Sequence, residues 1–234
     1  GSRSVLVELP DLDSVLGLSA LLRTSPLPGQ VDVLAAAGTV FIKADCLANA
    51  QAIANTVRTL ELDVAAAAAG SLVKIPVHYD GEDLAEVARL TSLSTEAVVN
   101  AHSGQTWRAA FGGFAPGFAY LLGDNQLLNV PRRATPRKAV PAGAVALAGE
   151  YSAVYPRRSP GGWQLIGHTD AVLWDLQREN PALIRPQDRV QFIPSRTALT
   201  VSTPADPVPA RDTAAPGQSS GLLEILDPGL QSLI

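Results

Sequence analysis

Between residues 111 and 169 the chain meets glycine, proline or arginine every few positions, reading FGGFAPGFAYL, VPRRATPR, VPAGAVALAG and YPRRSPGGWQLIGHT in turn. Proline removes a backbone donor and glycine favours turns, so this stretch excludes long helices and selects short strands joined by tight turns or open loops. Strand-like runs over the second half fall at 107–111, 145–148, 153–155, 163–166, 190–193 and 199–202. So many short strands leave exposed edges, and closure into a β-barrel removes them. Residues 170–178 read as a short helical insertion.

Upstream the period changes. Residues 5–9 alternate as a strand, and Leu12, Val15, Leu16, Ser19 and Leu22 then follow helical spacing after Asp11, with Pro26, Pro28 and Gly29 as the stop. Runs at 31–36 and 39–43 form two further strands around Gly38. Asp45 is placed to cap a helix with apolar positions Cys46, Ala50, Ile53, Val57 and Leu60, which puts Cys46 in the core. After an alanine tract, residues 72–78 alternate again. The order βαββαβ is that of a ferredoxin-like unit, assigned to residues 1–80.

The fold class expected is therefore α+β: a small ferredoxin-like domain, then a β-barrel over 81–202 led by a helical hairpin at 83–90 and 94–102. The second of those helices carries Glu96, Asn100 and His102 but no Lys or Arg, which argues against a DNA-reading helix. Residues 203–220, rich in Pro, Ala, Ser and Asp, read as a linker. Residues 221–234 turn apolar again, as expected for the start of a further, truncated domain.

The 234 residues are 47% hydrophobic, enough for a substantial core, and the net charge of −4 argues against nucleic acid as the main partner. Only 17% of residues are charged, below the usual figure of about a quarter, so part of the surface is expected to meet a partner. No apolar run reaches the roughly 18 residues of a membrane span. With Cys46 the single cysteine, the chain is expected to be cytoplasmic.

Several motifs bear on chemistry. Arg132, Arg133 and Arg137 can converge on a phosphate or carboxylate, which guanidinium forks bind bidentately, or they can be surface charges. Lys138, Arg157 and Arg158 lie in neighbouring loops, the last two read as surface charge. Gly161 and Gly162 can offer backbone N–H groups to an anion, with Ser159 adding a hydroxyl, though Pro-Gly-Gly is first of all a turn. Trp163 and Gln164 alternate, one of them facing the core, and a buried Gln164 amide needs partners. Phe114, Phe118 and Tyr120 form either the wall of a planar-substrate pocket or barrel core. No Walker loop, metal-ligand spacing or nucleophile elbow is present, so no metal is expected and no catalytic set is self-sufficient.

GGFAPGFAYL, PRRATPR, VPAG and SPGGWQLIGHT, in that order over roughly residues 5–200, resemble the signatures of the family labelled allophanate hydrolase subunit 1, the B subunit of 5-oxoprolinase and kinase inhibitor KipI. The resemblance implies a cyclophilin-like barrel and a subunit of an ATP-dependent amide-hydrolysing complex. It implies substrate or anion contacts at Arg132, Arg133, Arg137, Ser159, Gly161, Gly162, Gln164 and His168, and a pocket wall at Phe114, Phe118 and Trp163. The family often has arginine where His168 stands, and Gln-Thr where Glu150-Tyr151 stands, so ligand choice can differ. LLEILDPGLQSLI is similar to the start of the family's partner subunit, which implies a fusion of the urea amidolyase kind. No cofactor is then bound by this chain alone, and ATP serves the complex. Alternatives are a carboxyltransferase domain, which would bring in biotin, and a KipI-like inhibitor of a histidine kinase.

Overall fold

The computed structural model describes residues 2–60 and 70–195. The expectations for the alanine tract at 64–69, the strand at 199–202, the linker and the final apolar segment lie outside the described residues.

The N-terminal layer follows the sequence pattern closely. Asp11 Oδ1 accepts from Ser14 N at 2.7 Å and caps helix α1 (Leu12–Thr24), which a carboxylate at a helix start favours. Strands β1 (Ser4–Glu8), β2 (Gln30–Ala35) and β3 (Thr39–Ala44) pair antiparallel in the order β1-β3-β2. Helices α1 and α2 (Leu47–Arg58) bury Val15, Leu18, Leu22 and Ile53 against Val33, Val40 and Ile42 of this sheet. Each such side chain contributes about 1.5–3 kcal/mol on burial. Cys46 is not in that core: it precedes α2 as its N-cap and is exposed, while Asp45 Oδ1 accepts from Asn49 Nδ2 at 2.8 Å. The helix starts one residue later than the apolar spacing implies, which rotates Cys46 out.

The ferredoxin-like detail does not form. Its fourth strand, β4 (Leu72–Val77), leaves the small sheet and pairs in parallel with β12 (Arg189–Pro194), residue for residue from Leu72↔Arg189 to Val77↔Pro194. This makes β4 the last strand of a seven-stranded sheet, β11-β8-β9-β6-β5-β12-β4. The members are β5 (Trp107–Gly112), β6 (Ala119–Gly123), β8 (Ala144–Ala148), β9 (Tyr151–Val154) and β11 (Gln164–His168). The two end strands meet at one antiparallel bridge, His78↔His168, with reciprocal backbone bonds of 2.9 and 2.8 Å. The barrel is nearly closed by that bridge. It requires glycine beside it, because a Cβ on Gly167 would lie 2.3 Å from the His78 carbonyl oxygen.

Helices α3 (Leu84–Thr91) and α4 (Thr95–Ser103) add Val87 and Val98 to a core shared with Ile75, Trp107, Leu121 and Phe192. Val145 and Leu147 of β8 face this core, while Ala144, Ala146 and Ala148 face a second one with Phe118, Tyr155 and Trp163. Both faces of β8 are covered, so all five of its residues are buried. A separate two-stranded ribbon pairs β7 (Arg137–Val140) with β10 (Ser159–Gly161). Residues 170–178 form no helix: Trp174 bridges Ala182, and Leu183 N donates to Leu173 O at 2.9 Å, so the segment folds back as an irregular loop. No described helix is long and apolar enough to cross a membrane.

Candidate functional site

Asp83 organises the arginine loop, and it does so by first being fixed to β11. Its N–H donates to Leu165 O at 2.9 Å and its Oδ2 accepts from Leu165 N at 2.7 Å. Gly81 makes this approach feasible, since a Cβ there would lie 2.4 Å from Leu165 O. The Asp83 side chain is 5% exposed. Arg133 Nη1 donates a short hydrogen bond to Asp83 Oδ1, and Arg137 Nη2 donates to the same oxygen at 2.9 Å. Arg137 Nη1 pairs with Oδ2 at 2.9 Å, and Arg137 Nη2 also reaches Glu82 Oε2 at 3.0 Å.

Burial alone would raise the pKa of Asp83. Hydrogen bonds from Arg137 and Leu165 N, together with the charges of Arg137 and Arg133, outweigh it and hold the carboxyl below its ordinary value. Asp83 is therefore an ionised anchor near neutral pH and unsuited to proton transfer. The same pairing keeps the Arg137 guanidinium charged, its pKa raised chiefly by the Asp83 hydrogen bond.

The sequence-predicted residues do not gather into one site. Arg132, Arg133 and Gln164 border one open depression of about 370 Å³, together with Pro131, Thr135 and Glu86. Arg132 is exposed and has no ion pair or hydrogen bond among the described residues. Gln164 is 4% exposed; its Nε2 donates to Pro131 O at 3.1 Å, while its Oε1 has no partner. Arg133 Nε is likewise buried without a partner. Trp163 and Gln164 are both buried, although they are neighbours in sequence, because the strand they enter is covered on both faces. The ribbon holds Arg137 opposite Gly161, and Gly162 O accepts from Arg133 N at 2.7 Å. Ser159 Oγ donates to Arg157 O at 3.2 Å, a bond internal to its turn.

His168 sits apart. It ends β11, four residues and about 13 Å along the strand from Gln164, where its Nδ1 meets Asp80 Oδ1 at 2.7 Å and its ring stacks on His78 at 5.0 Å. It belongs to the barrel's closing bridge and is not brought to the arginines.

The three pocket-wall candidates do come together. Phe118 is the hub, edge-on to Phe114 at 5.2 Å, Tyr155 at 5.4 Å and Trp163 at 5.6 Å. Phe118 and Trp163 are buried, whereas Phe114 is 57% exposed and has a φ of 65°. Asp83, Glu82 and Tyr155 do not stand out in the sequence. The only signal for Asp83 is its place before a helix, and burial is what gives it a role.

The site is thus an open depression bordered by Arg132 and Arg133 on a nearly closed barrel that follows a small α/β layer. The family described as carboxyltransferase domain, subdomain C and D, matches residues 1–184, and the chain belongs to it. Over 130 residues it is 47% identical to the 5-oxoprolinase B subunit of Escherichia coli O157:H7, covering 54% of this chain and 60% of that protein. Over 125 residues it is 44% identical to the 5-oxoprolinase B subunit of Bacillus subtilis (strain 168), covering 52% of each. A shorter match, 42% over 57 residues, links it to urea amidolyase of Saccharomyces cerevisiae, covering 22% of this chain and 3% of that one. The matched stretches thus span little more than half the length of the two 5-oxoprolinase relatives. Among solved structures, TTHA0988 superimposes with a TM-score of 0.71 at 35% identity, over 83% of this chain and 40% of that one.

Proposed function

We propose that this chain is a non-autonomous component of an ATP-dependent amide-hydrolysing complex of the 5-oxoprolinase type. It holds a small amide or carboxylate jointly with a partner subunit or fused partner half. The observation that carries this reading is the 47% identity over 130 residues to a protein named as a 5-oxoprolinase component.

The site's chemistry supports a binding role. Asp83 is clamped between two guanidinium groups, and Glu86 is forked onto Arg89 at 2.6 and 2.8 Å, so neither is a free general base. Arg132 and Lys138 are exposed and unpaired among the described residues. Cations of this kind can neutralise phosphate or carboxylate oxygens for a step performed by groups from elsewhere in the complex. ATP is a substrate of that complex, activating the amide oxygen before water opens the bond.

The test is ATP hydrolysis dependent on 5-oxoproline, measured with the remaining oxoprolinase subunits of the same organism. Glutamate formation should vanish when this chain is omitted. Arg132→Ala should lower kcat/KM at least tenfold while the protein stays folded; unchanged turnover on omitting the chain would overturn the reading.

A second reading draws on the family's own description and on the urea amidolyase match: a carboxyltransferase domain that delivers CO2 from carboxybiotin to a small amide. A requirement for bicarbonate and biotin in the same assay would select it.

A further inference from the structure

We propose that two copies of this chain pair through the free edge of β1, antiparallel about Leu6, so that their small sheets join into one continuous sheet. The proposal is independent of the amide-hydrolysing reading, because it uses the N-terminal layer and none of the arginine loop.

The two edges of the small sheet are built differently. On β2, Ala36 N donates to Thr39 O at 2.9 Å, which turns the backbone groups of Val33 away from β3. Both are already occupied: Val33 N donates to Asp32 Oδ1 at 2.8 Å, and Val33 O accepts from Arg23 Nη2 at 2.9 Å. The β2 ladder also shifts register between Gln30 and Asp32. Such devices keep a strand edge from pairing with another chain. Strand β1 carries neither. Its ladder to β3 runs without a shift from Ser4↔Lys43 to Glu8↔Thr39, and among the described residues no strand lies on its other side. Ala44 N donates to Arg3 O at 2.9 Å and Leu9 N donates to Gly38 O at 3.0 Å. The odd-numbered residues of β1 therefore bond β3, and the N–H and C=O of Leu6 and Glu8 point to the open edge.

This edge is complementary to itself, which is what selects a second copy as its occupant. A two-fold pairing centred on Leu6 sets Leu6 against the partner's Leu6, Val5 against the partner's Val7 and Glu8 against the partner's Ser4. Val-Leu-Val reads the same in both directions, as that symmetry requires, and no carboxylate meets another. Leu6 exchanges both of its outward backbone bonds with its counterpart. Its side chain stands opposite Phe41 of β3, which stands opposite Leu34 of β2. Leu6 is 61% and Leu34 55% exposed, so pairing continues this apolar row from one sheet into the other and covers Leu6 at the join. On the other face, Val5 and Val7 border a groove of about 230 Å³ shared with Ala54, Val57 and Arg58 of α2, which gives the partner's valines apolar neighbours. A contact built on one short strand from each copy is small, so the association is weak and depends on concentration.

Sedimentation velocity on the full chain, over a hundredfold range of concentration reaching roughly 0.5 mM, should show a monomer–dimer equilibrium. Leu6→Lys sets two ammonium groups against each other, and Leu6→Pro removes an N–H that β3 does not use. Each should weaken the dimer at least tenfold while the thermal midpoint of the dilute protein stays close to that of the parent. Cross-linking in a Cys46→Ser background reads the register. Leu6→Cys lies about 5.5 Å from its counterpart between Cα atoms, within disulfide reach, and should give a covalent dimer on mild oxidation. Glu8→Cys lies about 13 Å from its counterpart along the strands and should not. A monomer at every concentration overturns the proposal, as does a dimer indifferent to both Leu6 variants or one that Glu8→Cys cross-links as readily as Leu6→Cys. A chain that stays monomeric but loses binding of an added oxoprolinase subunit in Leu6→Lys also overturns it, and assigns the edge to that subunit.

Discussion

At Asp83 a single carboxylate balances two guanidinium groups, and removing it leaves both cations facing a desolvated site. Breaking one partner of such a network costs far more than the network contributes to stability. Asp83→Ala should therefore lower unfolding free energy by about 3 kcal/mol, read from urea denaturation midpoints at neutral pH; a loss under about 1 kcal/mol would contradict the clamp. Its folded pKa is depressed, so its contribution is complete above the unfolded carboxylate range and is lost as pH falls through the folded value. His102 acts in the opposite chemical sense but in the same direction of pH. It is fully buried, its Nδ1 bonded to Tyr79 Oη and its Nε2 to Ser152 Oγ, both at 2.8 Å, with Phe192 stacked at 4.3 Å. Burial pushes its pKa down to about 3. The unfolded chain thus binds a proton that the folded chain refuses between about pH 6.5 and 3. Stability should fall by about 1.4 kcal/mol per unit as pH drops through that window. His102→Gln, which does not titrate, should flatten this part of the pH–stability curve; an unaltered slope would show that other groups cause it.

At the scale of elements, the closing bridge is the most demanding feature. Any side chain on Gly167 meets the His78 carbonyl 2.3 Å from its Cβ, so the end strands must separate. Gly167→Val should cost about 2 kcal/mol or more and should speed hydrogen exchange at His78 and His168 above all other barrel amides; uniform loss of protection would argue against a local opening. Strands with apolar runs, such as β8 and β12, are legible in the sequence because packing and period agree there. The ribbon β7–β10 is not, since Arg-Lys-Ala-Val and Ser-Pro-Gly show no alternation and their pairing depends on the loops they bridge. The βαββα order is legible from local pattern, yet the partner of β4 lies more than a hundred residues downstream, beyond any such pattern. In the site, PRRATPR and Gln164 are visible as candidates. What sorts Arg133 and Arg137 into a clamp and leaves Arg132 free is Asp83, whose burial no spacing rule reports. His168 groups with the arginines in the sequence motif because it ends the strand that Gln164 begins, and strand length is what separates it from them.

Over the whole molecule, the small sheet's core is assembled from residues 5–60, whereas the barrel core joins residues from 73 to 192. Ser71 N donates to Asp188 Oδ1 across 117 positions. Loops of that span close slowly, and local contacts form first. Pulse-labelled hydrogen exchange during refolding should show amides of Val33, Val40 and Ile42 protected before those of Val73 and Ile75; simultaneous protection would mean the two cores form as one unit.

Strand β12 lies between β5 and β4, hydrogen-bonded to both. During synthesis β5 therefore waits with one side unpaired, and β4 with no ladder partner at all, until residues 189–194 have cleared the ribosome. The barrel is a structure finished by its last-made described strand, and a chaperone guarding the nascent chain would find its substrate along β4 and β5.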